Sequence, residues 1–315
     1  MTAGRTGSFH EAICYDSDDH LLAVTMPFLL GGMAAGEPAV VSLSRHNAEL
    51  VRAALPAAGG VTFLPGGAVY ARPAAAIKQY REMLAGYVAE GADQIRIVGE
   101  LPARALGATW DWWARYEAAA NHAYEGFPVW SMCAYDTRVT PGAVLADVMR
   151  THRRTARPDV GFAPSDSYVL PADFLMEPRA PSTDPLQRTP PHADLTDPSG
   201  RIAREATRAA ARAVLTAQAT EEMIMAVSEA VVNAYRHGRG TVRLRVWTGA
   251  ERVVAAVTDD GPGPRDPFAG LLPPRDATRG GLGLWLIHLF CDHVVLDRRP
   301  GGFTIRLTAG NPHWS

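Results

Sequence analysis

The sequence has 315 residues, a length that favours two domains over one. Its 31 basic and 33 acidic residues leave a formal net charge of −2, which excludes the strongly basic field typical of nucleic-acid-binding proteins. With 47% hydrophobic and 20% charged residues, the composition also excludes a disordered or fibrous chain.

Cysteine usage and hydropathy predict a cytoplasmic protein that does not cross a membrane. Cys14, Cys133 and Cys291 are too few and too widely spaced for a disulfide framework, so a reducing compartment is expected. The longest apolar region, residues 21–36, is interrupted by Pro27 and a glycine pair, and it is too short to span a bilayer.

Arginine almost replaces lysine in this chain. Of the 31 basic residues, only Lys78 is a lysine. A P-loop needs a glycine-rich turn that ends in Lys-Ser or Lys-Thr, whereas Lys78 is followed by Gln79. A P-loop nucleotide site is therefore excluded.

The first half of the chain alternates apolar runs with helical patterns. Short buried strands are predicted at 39–43, 61–64, 94–99 and 127–135, and helices at 17–34, 45–55, 73–90 and 109–125. This alternation predicts an α/β domain with a mostly parallel sheet covered by helices.

A change in composition marks the middle of the chain. Nine prolines lie between residues 157 and 198, a density that no helix interior tolerates. We therefore expect a proline-rich linker over 157–198, between an N-terminal domain of residues 1–156 and a C-terminal domain of residues 199–315.

The C-terminal domain follows a different pattern. Helices are expected at 199–216 and 220–237, strands at 241–247 and 253–259, a helix near 283–291 and a hairpin over 294–307. The order α-α-β-β-α-β-β predicts an α/β sandwich with a largely antiparallel sheet.

Polar residues recur on one face of the second helix of this domain. Glu229, Asn233 and His237 are spaced i, i+4 and i+8, so they share a helix face. On its own, such a triplet is also typical of a stripe that faces solvent.

Two glycine-rich segments follow this helix. Asp259 ends an apolar strand beside Gly261 and Gly263, where its carboxylate can accept a hydrogen bond from an amino group such as that of adenine. The loop with Gly281 and Gly283 runs into an apolar helix, whose free N–H groups suit phosphates. Taken singly, a simple Asp-Gly turn and ordinary helix capping explain these segments equally well.

The three segments in this order resemble the N, G1 and G2 boxes of the GHKL ATPase/kinase superfamily, which shares the Bergerat fold of gyrase and histidine kinases. The resemblance covers about residues 199–309. The two helices before the N box, the NAYRHG ending and the short lid resemble the anti-sigma-factor serine kinase branch. Members of that branch bind a sigma factor and phosphorylate an anti-sigma antagonist protein of the STAS type.

The resemblance implies ATP and Mg²⁺ as cofactors and a role for each motif residue. Asn233 would hold Mg²⁺, and Glu229 would orient or deprotonate the attacking hydroxyl. Asp259 would recognise adenine, in a pocket that Gly261 and Gly263 shape.

The remaining motif residues concern the phosphates and the end of the N-box helix. Gly281 and Gly283 would admit the phosphates, and Arg279 would neutralise them. His237 either touches the ligand or supports the end of the helix.

Two alternatives remain for this domain. A sensor histidine kinase shares the ATPase fold, but it needs a phosphoacceptor histidine on a helical hairpin, and His192 lies in a proline-rich segment. The other alternative is an ATP-binding anti-sigma module without kinase turnover.

The N-terminal domain resembles the MEDS sensory domain of bacterial and archaeal regulators, over about residues 8–155. That family is similar to degenerate RecA-type ATPases, which implies a three-layer RecA-like fold. The matching residues are His10, Tyr15, Glu37, Arg96, Glu117, Cys133, Tyr135 and Asp136.

The residues of this domain are compatible with more than one chemistry. His10, Cys14, Cys133 and Tyr135 could converge on a ligand or metal site, with Tyr15, Glu37 and Glu117 as further members of a sensory ligand site. The two cysteines are equally compatible with plain burial as small apolar side chains.

The combined expectation is a partner-switch regulator of transcription. A small-molecule signal at the N-terminal domain would control an anti-sigma factor with ATP-dependent serine/threonine kinase activity. The expected partners are a sigma factor and its antagonist protein, without direct contact with nucleic acid or membrane. The resemblance also admits a homodimer.

Overall fold

The computed structural model describes residues 7–56, 59–65, 69–157, 161–179, 183–274 and 281–313. The chain forms two compact units. The first unit lies within residues 1–71, 75–106 and 113–175, and the second within residues 72–74, 107–112 and 176–315. Among the described helices, none combines the length and the apolar character that a membrane crossing requires.

The first unit is built on a seven-stranded sheet with the order β3-β2-β4-β5-β1-β6-β7. The neighbouring strands from β3 to β6 are parallel, and the edge strand β7 is antiparallel to β6. Its strands are β1 (Phe9–Tyr15), β2 (Ala39–Ser42), β3 (Val61–Phe63), β4 (Ile95–Gly99), β5 (Val129–Asp136), β6 (Arg154–Arg157) and β7 (Gly161–Pro164). Its helices are α1 (Asp18–Ala34), α2 (Arg45–Ala54), α3 (Pro73–Ala89, which carries Lys78), α4 (Trp110–Ala123), α5 (Gly142–Thr151) and α6 (Pro171–Met176).

The predicted parallel α/β architecture is confirmed, and one central strand was missed. The four predicted strands correspond to β2, β3, β4 and β5, and the four predicted helices to α1 through α4. Strand β1 lies between β5 and β6, yet it did not stand out as an apolar run. The reason is that His10 and Glu11, both buried, place two polar residues at its start.

The sheet has two chemically different faces, because side chains alternate along each strand. On one face, Ile13 of β1 and Met132 of β5 belong to an apolar core with Leu21 and Phe28 of α1. On the other face, Cys133 of β5 approaches α4. Each large aliphatic side chain buried on the apolar face contributes about 1.5–3 kcal/mol.

The second unit is built on a five-stranded antiparallel sheet with the order β11-β12-β10-β9-β8. Its elements are β8 (Ala193–Thr196), α7 (Gly200–Ala211), α8 (Ala217–His237), β9 (Arg243–Thr248), β10 (Arg252–Asp259), α9 (Leu282–Phe290), β11 (His293–Arg299) and β12 (Gly302–Gly310). The predicted sandwich with an antiparallel sheet is confirmed.

The proline-rich stretch contains regular elements that the sequence did not indicate. Strand β7 belongs to the first sheet, and β8 pairs with β9 at the edge of the second. Strand β8 has only four residues, of which alternate ones are exposed. So short a strand among prolines shows no clear hydrophobic period. For this reason the sequence predicted a linker over 157–198.

Helix α8 positions the polar face predicted above. Thr216 caps its start by accepting a hydrogen bond from the N–H of Ala219. Val227 and Val231 are buried against the sheet, in a core that also contains Val257. This packing leaves the opposite side of the last three turns free to form a wall of the site.

Candidate functional site

A cavity of about 210 Å³ opens in the second unit between α8, α9 and the strands β10 and β12. Its lining consists of Ala230, Asn233, Ala234, His237, Gly238, Val257, Asp259, Gly263, Pro264, Ala269, Gly281, Leu284, Phe303 and Ile305. Most of these side chains are apolar or absent, and the polar ones are few, which is the usual composition of a small-molecule site.

Asp259 is the buried acid of this cavity. It ends β10, is 5% exposed, and its Oδ1 accepts a 2.6 Å hydrogen bond from the N–H of Gly261. A Cβ on Gly238 would lie 2.4 Å from the same oxygen, and a Cβ on Gly261 would lie 2.6 Å from it. Only glycine fits at these two positions, so the backbone approaches the carboxylate on two sides.

The walls next to Asp259 form an apolar slot. Val257 of β10 and Ile305 of β12 contribute side chains from the sheet, and Leu284 contributes one from α9. Phe303 pairs with Asp259 across the two strands, and Gly263 leaves space for its ring, since a Cβ there would lie 2.5 Å from the ring. A slot with one buried acceptor suits a planar base with an amino group.

The far side of the cavity is the start of α9. Gly281 precedes the helix with φ +91°, a left-handed conformation that glycine adopts without strain. The first N–H groups of a helix lack intrahelical partners, and the helix dipole favours negative charge there. The cavity therefore has an apolar, acid-bearing end and an end suited to an anion.

Gly283 allows the polar face of α8 to lie close to this anion-binding end. A Cβ on Gly283 would lie 2.5 Å from Oε2 of Glu229 and 3.4 Å from Nδ2 of Asn233. Both side chains are half-buried against the first turn of α9. A carboxylate and an amide thus lie together beside the first turn of α9.

Most of the predicted residues of this domain meet at the cavity. Asn233, His237, Asp259, Gly263 and Gly281 line it. Gly261 is bonded to Asp259, and Glu229 and Gly283 lie beside Asn233. Arg279 lies outside the described residues.

Two further residues of the cavity escaped the sequence analysis. Gly238 ends α8 as expected of a C-terminal glycine, but it also contacts the Asp259 carboxylate. Phe303 reads as an ordinary residue of a hairpin strand. The antiparallel pairing of β12 with β10 places Phe303 opposite Asp259. This strand register was the signal that could have identified Phe303 as a cavity residue.

The first unit contains a separate cluster of buried polar side chains, His10, Glu117, Cys133 and His152. Nε2 of His10 lies 3.2 Å from Oε2 of Glu117 and 3.2 Å from Sγ of Cys133. Nε2 of His152 lies 3.4 Å from the same carboxylate oxygen, and Tyr135 donates its hydroxyl to Oε1 at 2.7 Å.

Burial and mutual charge shift the pKa values in this cluster. Burial raises the pKa of the Cys133 thiol well above its usual value, and the Glu117 carboxylate raises it further. Burial, followed by the proximity of His152, lowers the pKa of His10. Burial alone would raise the pKa of Glu117, but the neighbouring imidazoles of His10 and His152 outweigh it and hold that pKa below its usual range.

The six residues predicted for a sensory site do not all meet. His10, Glu117, Cys133 and Tyr135 come together on the α4 side of the sheet. Tyr15 belongs to the core on the opposite face, where it accepts a hydrogen bond from Asn47. Glu37 pairs with Arg96, whose guanidinium lies over Phe28 of that same face. His152 joins the cluster although no pattern in the sequence indicated it.

Each of the two structural units matches a family model in sequence. Residues 9–153 match the model described as MEDS, the MEthanogen/methylotroph, DcmR Sensory domain. Residues 193–309 match the Histidine kinase-like ATPase domain. The chain carries a MEDS domain followed by a histidine kinase-like ATPase domain. The resemblances drawn from the sequence motifs are thereby confirmed at the level of the two families.

One curated relative is the Transcriptional repressor DcmR of Methylorubrum extorquens (strain DSM 6343 / CIP 106787 / DM4), which is 26% identical over 169 residues. The match covers 49% of this chain and 63% of the repressor, so the chain spans less than two thirds of that relative's length.

Part of this chain is similar to part of one solved structure, the crystal structure of the RsbU and RsbW domains of Rv1364c from Mycobacterium tuberculosis. It is 21% identical, the match covers 38% of this chain and 32% of that chain, and the TM-score is 0.26. A TM-score this low supports no inference about activity.

The ATPase family implies that the cavity of the second unit binds ATP, and the residues present fit this ligand. The glycine positions around Asp259 leave a space that a Cβ would fill, the apolar slot matches a purine, and the start of α9 matches phosphates. The ATPase domain thus belongs to a family of ATP-using regulatory and signalling enzymes.

Proposed function

We propose that the chain is a signal-responsive anti-sigma factor that phosphorylates an antagonist protein on serine or threonine with ATP. The observation that carries this proposal is the position of Glu229 and Asn233 beside Gly283, at the anion-binding end of a cavity whose other end holds Asp259. A site that only held ATP would need no carboxylate at that place.

Each side chain has a defined task in this proposal. Asp259 accepts a hydrogen bond from the adenine amino group, and the start of α9 receives the phosphates. The amide oxygen of Asn233 is a suitable ligand for Mg²⁺, which would neutralise phosphate charge. His237 lines the cavity at the exposed end of α8, where it can reach a bound nucleotide.

Glu229 acts as the general base in the transfer. Its carboxylate takes the proton of the serine or threonine hydroxyl, the hydroxyl oxygen bonds to the γ-phosphorus, and the bond from that phosphorus to the bridging oxygen breaks to release ADP. Arg279, outside the described residues, is proposed to neutralise the phosphates, because the ATPase domain contains no lysine.

The proposal further assigns a regulatory task to the MEDS domain. A small-molecule signal bound there would change the occupancy of the sigma factor and the antagonist. Such control requires that the signal bind two states of the protein with different affinity. Cytoplasmic location and a homodimer are part of the same proposal.

The test is transfer of phosphate from radiolabelled ATP to a purified candidate antagonist protein of the STAS type, with Glu229→Gln compared with the wild-type chain. A general base contributes about 10²- to 10⁴-fold, so a loss of that size in rate is expected with ATP affinity nearly retained. Glu221→Gln is the matched control, since Glu221 lies exposed on the same helix. Equal rates for Glu229→Gln and the wild type would refute the proposed role.

The chemical stability of the product separates the alternatives. Phosphoserine and phosphothreonine survive acid, whereas phosphohistidine is hydrolysed. His192 lies immediately before the edge strand β8, not on a long helix, which speaks against a phosphoacceptor histidine. Acid-labile label on the chain itself would favour a histidine kinase, and ATP binding without any transfer would favour a pure binding module.

A further inference from the structure

The buried cluster of the MEDS domain has the spacing of a metal site. The candidate ligand atoms are Nε2 of His10, Oε2 of Glu117, Sγ of Cys133 and Nε2 of His152, all within 4.8 Å of one another. Four of the six separations are 3.2, 3.2, 3.4 and 3.6 Å. Tetrahedral zinc with ordinary Zn–N, Zn–O and Zn–S bonds places its ligand atoms about 3.3–3.6 Å apart.

His152 is oriented as a metal ligand. It is fully buried, and its Nδ1 lies 2.9 Å from the carbonyl oxygen of Val148. In the tautomer that donates this hydrogen bond, Nε2 carries a lone pair. Among the described residues, that Nε2 has no hydrogen-bond partner, although it lies 3.4 Å from Oε2 of Glu117. An imidazole lone pair and a carboxylate oxygen that face each other in a buried site need a proton or a metal cation between them.

Glu117 is oriented in the same way. Tyr135 donates to Oε1 at 2.7 Å, which leaves Oε2 as the atom nearest to both histidines and to Cys133. A ligating carboxylate that is fixed by a neighbouring hydroxyl is a common arrangement around metal ions.

Charge compensation favours the same interpretation. The carboxylate of Glu117 is fully buried, and burial of an unpaired charge is costly. A divalent cation held by one carboxylate, one thiolate and two neutral imidazoles gives a neutral site.

We propose that His10, Glu117, Cys133 and His152 bind one divalent transition-metal ion in a tetrahedral site of the MEDS domain. The mixed nitrogen, sulfur and oxygen set suits Zn²⁺ or Fe²⁺ and disfavours Mg²⁺ and Ca²⁺, which prefer oxygen ligands alone. The proposal does not depend on the phosphoryl transfer assigned to the ATPase domain.

A small cavity lies beside two of the ligands. It has a volume of about 20 Å³, enough for one water molecule, and is lined by His10 and Cys133 together with Tyr70, Tyr80, Tyr116 and Tyr124. A ligand of about the size of a water molecule in this cavity would contact the metal site from the side of the tyrosines. The metal would then connect signal binding to the strands β1 and β5, from which two ligands come.

The decisive experiment uses the full chain without an affinity tag. After treatment with a chelator, the protein is incubated with Zn²⁺, desalted and analysed for metal by mass spectrometry. We expect about one Zn²⁺ per wild-type chain, and loss of it in Cys133→Ser and in His152→Gln. Cys14→Ser is the matched control, because Cys14 lies on β1 in register with Tyr135 and outside the cluster, so it should retain the ion.

Two further measurements keep the test independent of how well the variants fold. Zn²⁺ at about a hundredfold excess over its Kd should raise the Tm of the wild type by about 5–10 °C. Co²⁺ should give intense visible bands and a thiolate-to-cobalt charge-transfer band in the wild type and in Cys14→Ser. A wild-type chain that retains no metal, or a cobalt spectrum without the thiolate band, would overturn the proposal.

Discussion

The backbone N–H of Gly261 donates a 2.6 Å hydrogen bond to Oδ1 of Asp259, at the end of β10. This bond fixes the rotation of the carboxylate and occupies one of its oxygens. The remaining acceptor capacity of Asp259 is therefore available to the ligand of the cavity.

Asp259→Asn is expected to weaken ATP binding while leaving the fold intact. The amide keeps an oxygen that Gly261 can bond, but it places an NH₂ group where the adenine amino group needs an acceptor. The loss of a hydrogen bond to a charged group, about 1.5–3 kcal/mol, corresponds to a Kd about 10- to 150-fold higher. Isothermal titration calorimetry with ATP measures this, and Asp260→Asn, which changes an exposed neighbour, should leave the Kd unchanged.

Gly283→Ala is expected to reduce phosphoryl transfer without lowering stability. The new Cβ would lie 2.5 Å from Oε2 of Glu229, and the flexible end of that side chain can move away. Alanine is favoured over glycine in a helix by about 0.5–1 kcal/mol, so the Tm should not fall. The rate of transfer, measured at saturating ATP, should fall at least about tenfold because the base is displaced. An unchanged rate would contradict the proposed place of Glu229 in the reaction.

Gly263→Ala is expected to be more destabilising than Gly301→Ala. Both glycines have positive φ, +72° and +85°, so the backbone strain is similar. Only Gly263 has a neighbour in the way, the ring of Phe303 at 2.5 Å from the added Cβ, whereas nothing lies within 4 Å at Gly301. Overpacking should add about 1–3 kcal/mol to the loss at Gly263. Urea denaturation of the two variants measures the difference, and equal losses would show that the ring moves aside freely.

Arg96→Ala is expected to destabilise the MEDS domain strongly. The Arg96 side chain is 4% exposed, pairs with Glu37 and donates to the carbonyl oxygen of Phe28. Removing one partner of a buried ion pair costs about 3–5 kcal/mol, because the other charge is left uncompensated.

The matched control for Arg96→Ala is Arg45→Ala. Arg45 pairs with Glu49 at 2.9 Å, but its side chain is 91% exposed and solvent screens the pair, so stability should hardly change. Chemical denaturation followed by far-ultraviolet circular dichroism compares the two. A small loss for Arg96→Ala would show that the ion pair with Glu37 contributes little to the stability of the domain.

The parts of the fold and site that follow a regular period could be predicted from the sequence. The spacing of Glu229 and Asn233 along α8 predicted that they share a face, and Gly283 lies against both. The apolar runs of β2 through β5 predicted a parallel sheet in the same way. In both cases the information is local, because the period of the element alone decides which side chains meet.

The parts that depend on contacts between distant segments could not be predicted. His152 follows the end of α5, and only the tertiary fold places it 3.4 Å from Glu117, 35 residues earlier. Strand β8 exists because β9 offers it a partner, and its own four residues carry no clear signal. Tyr15 reads like a candidate ligand with His10, but the alternation of side chains in β1 sends the two to opposite faces.

The single lysine of the chain has a practical consequence. Lys78 lies on α3 with its side chain about half exposed, and its Nζ is 3.9 Å from Oε1 of Glu82. An amine-reactive fluorophore therefore has one lysine to couple to, within the MEDS domain, and its other target is the α-amino group of the chain. A dye at that position would report changes in the MEDS domain of a chain that carries no substitution. Every arginine and every glycine of the nucleotide cavity would remain unreacted.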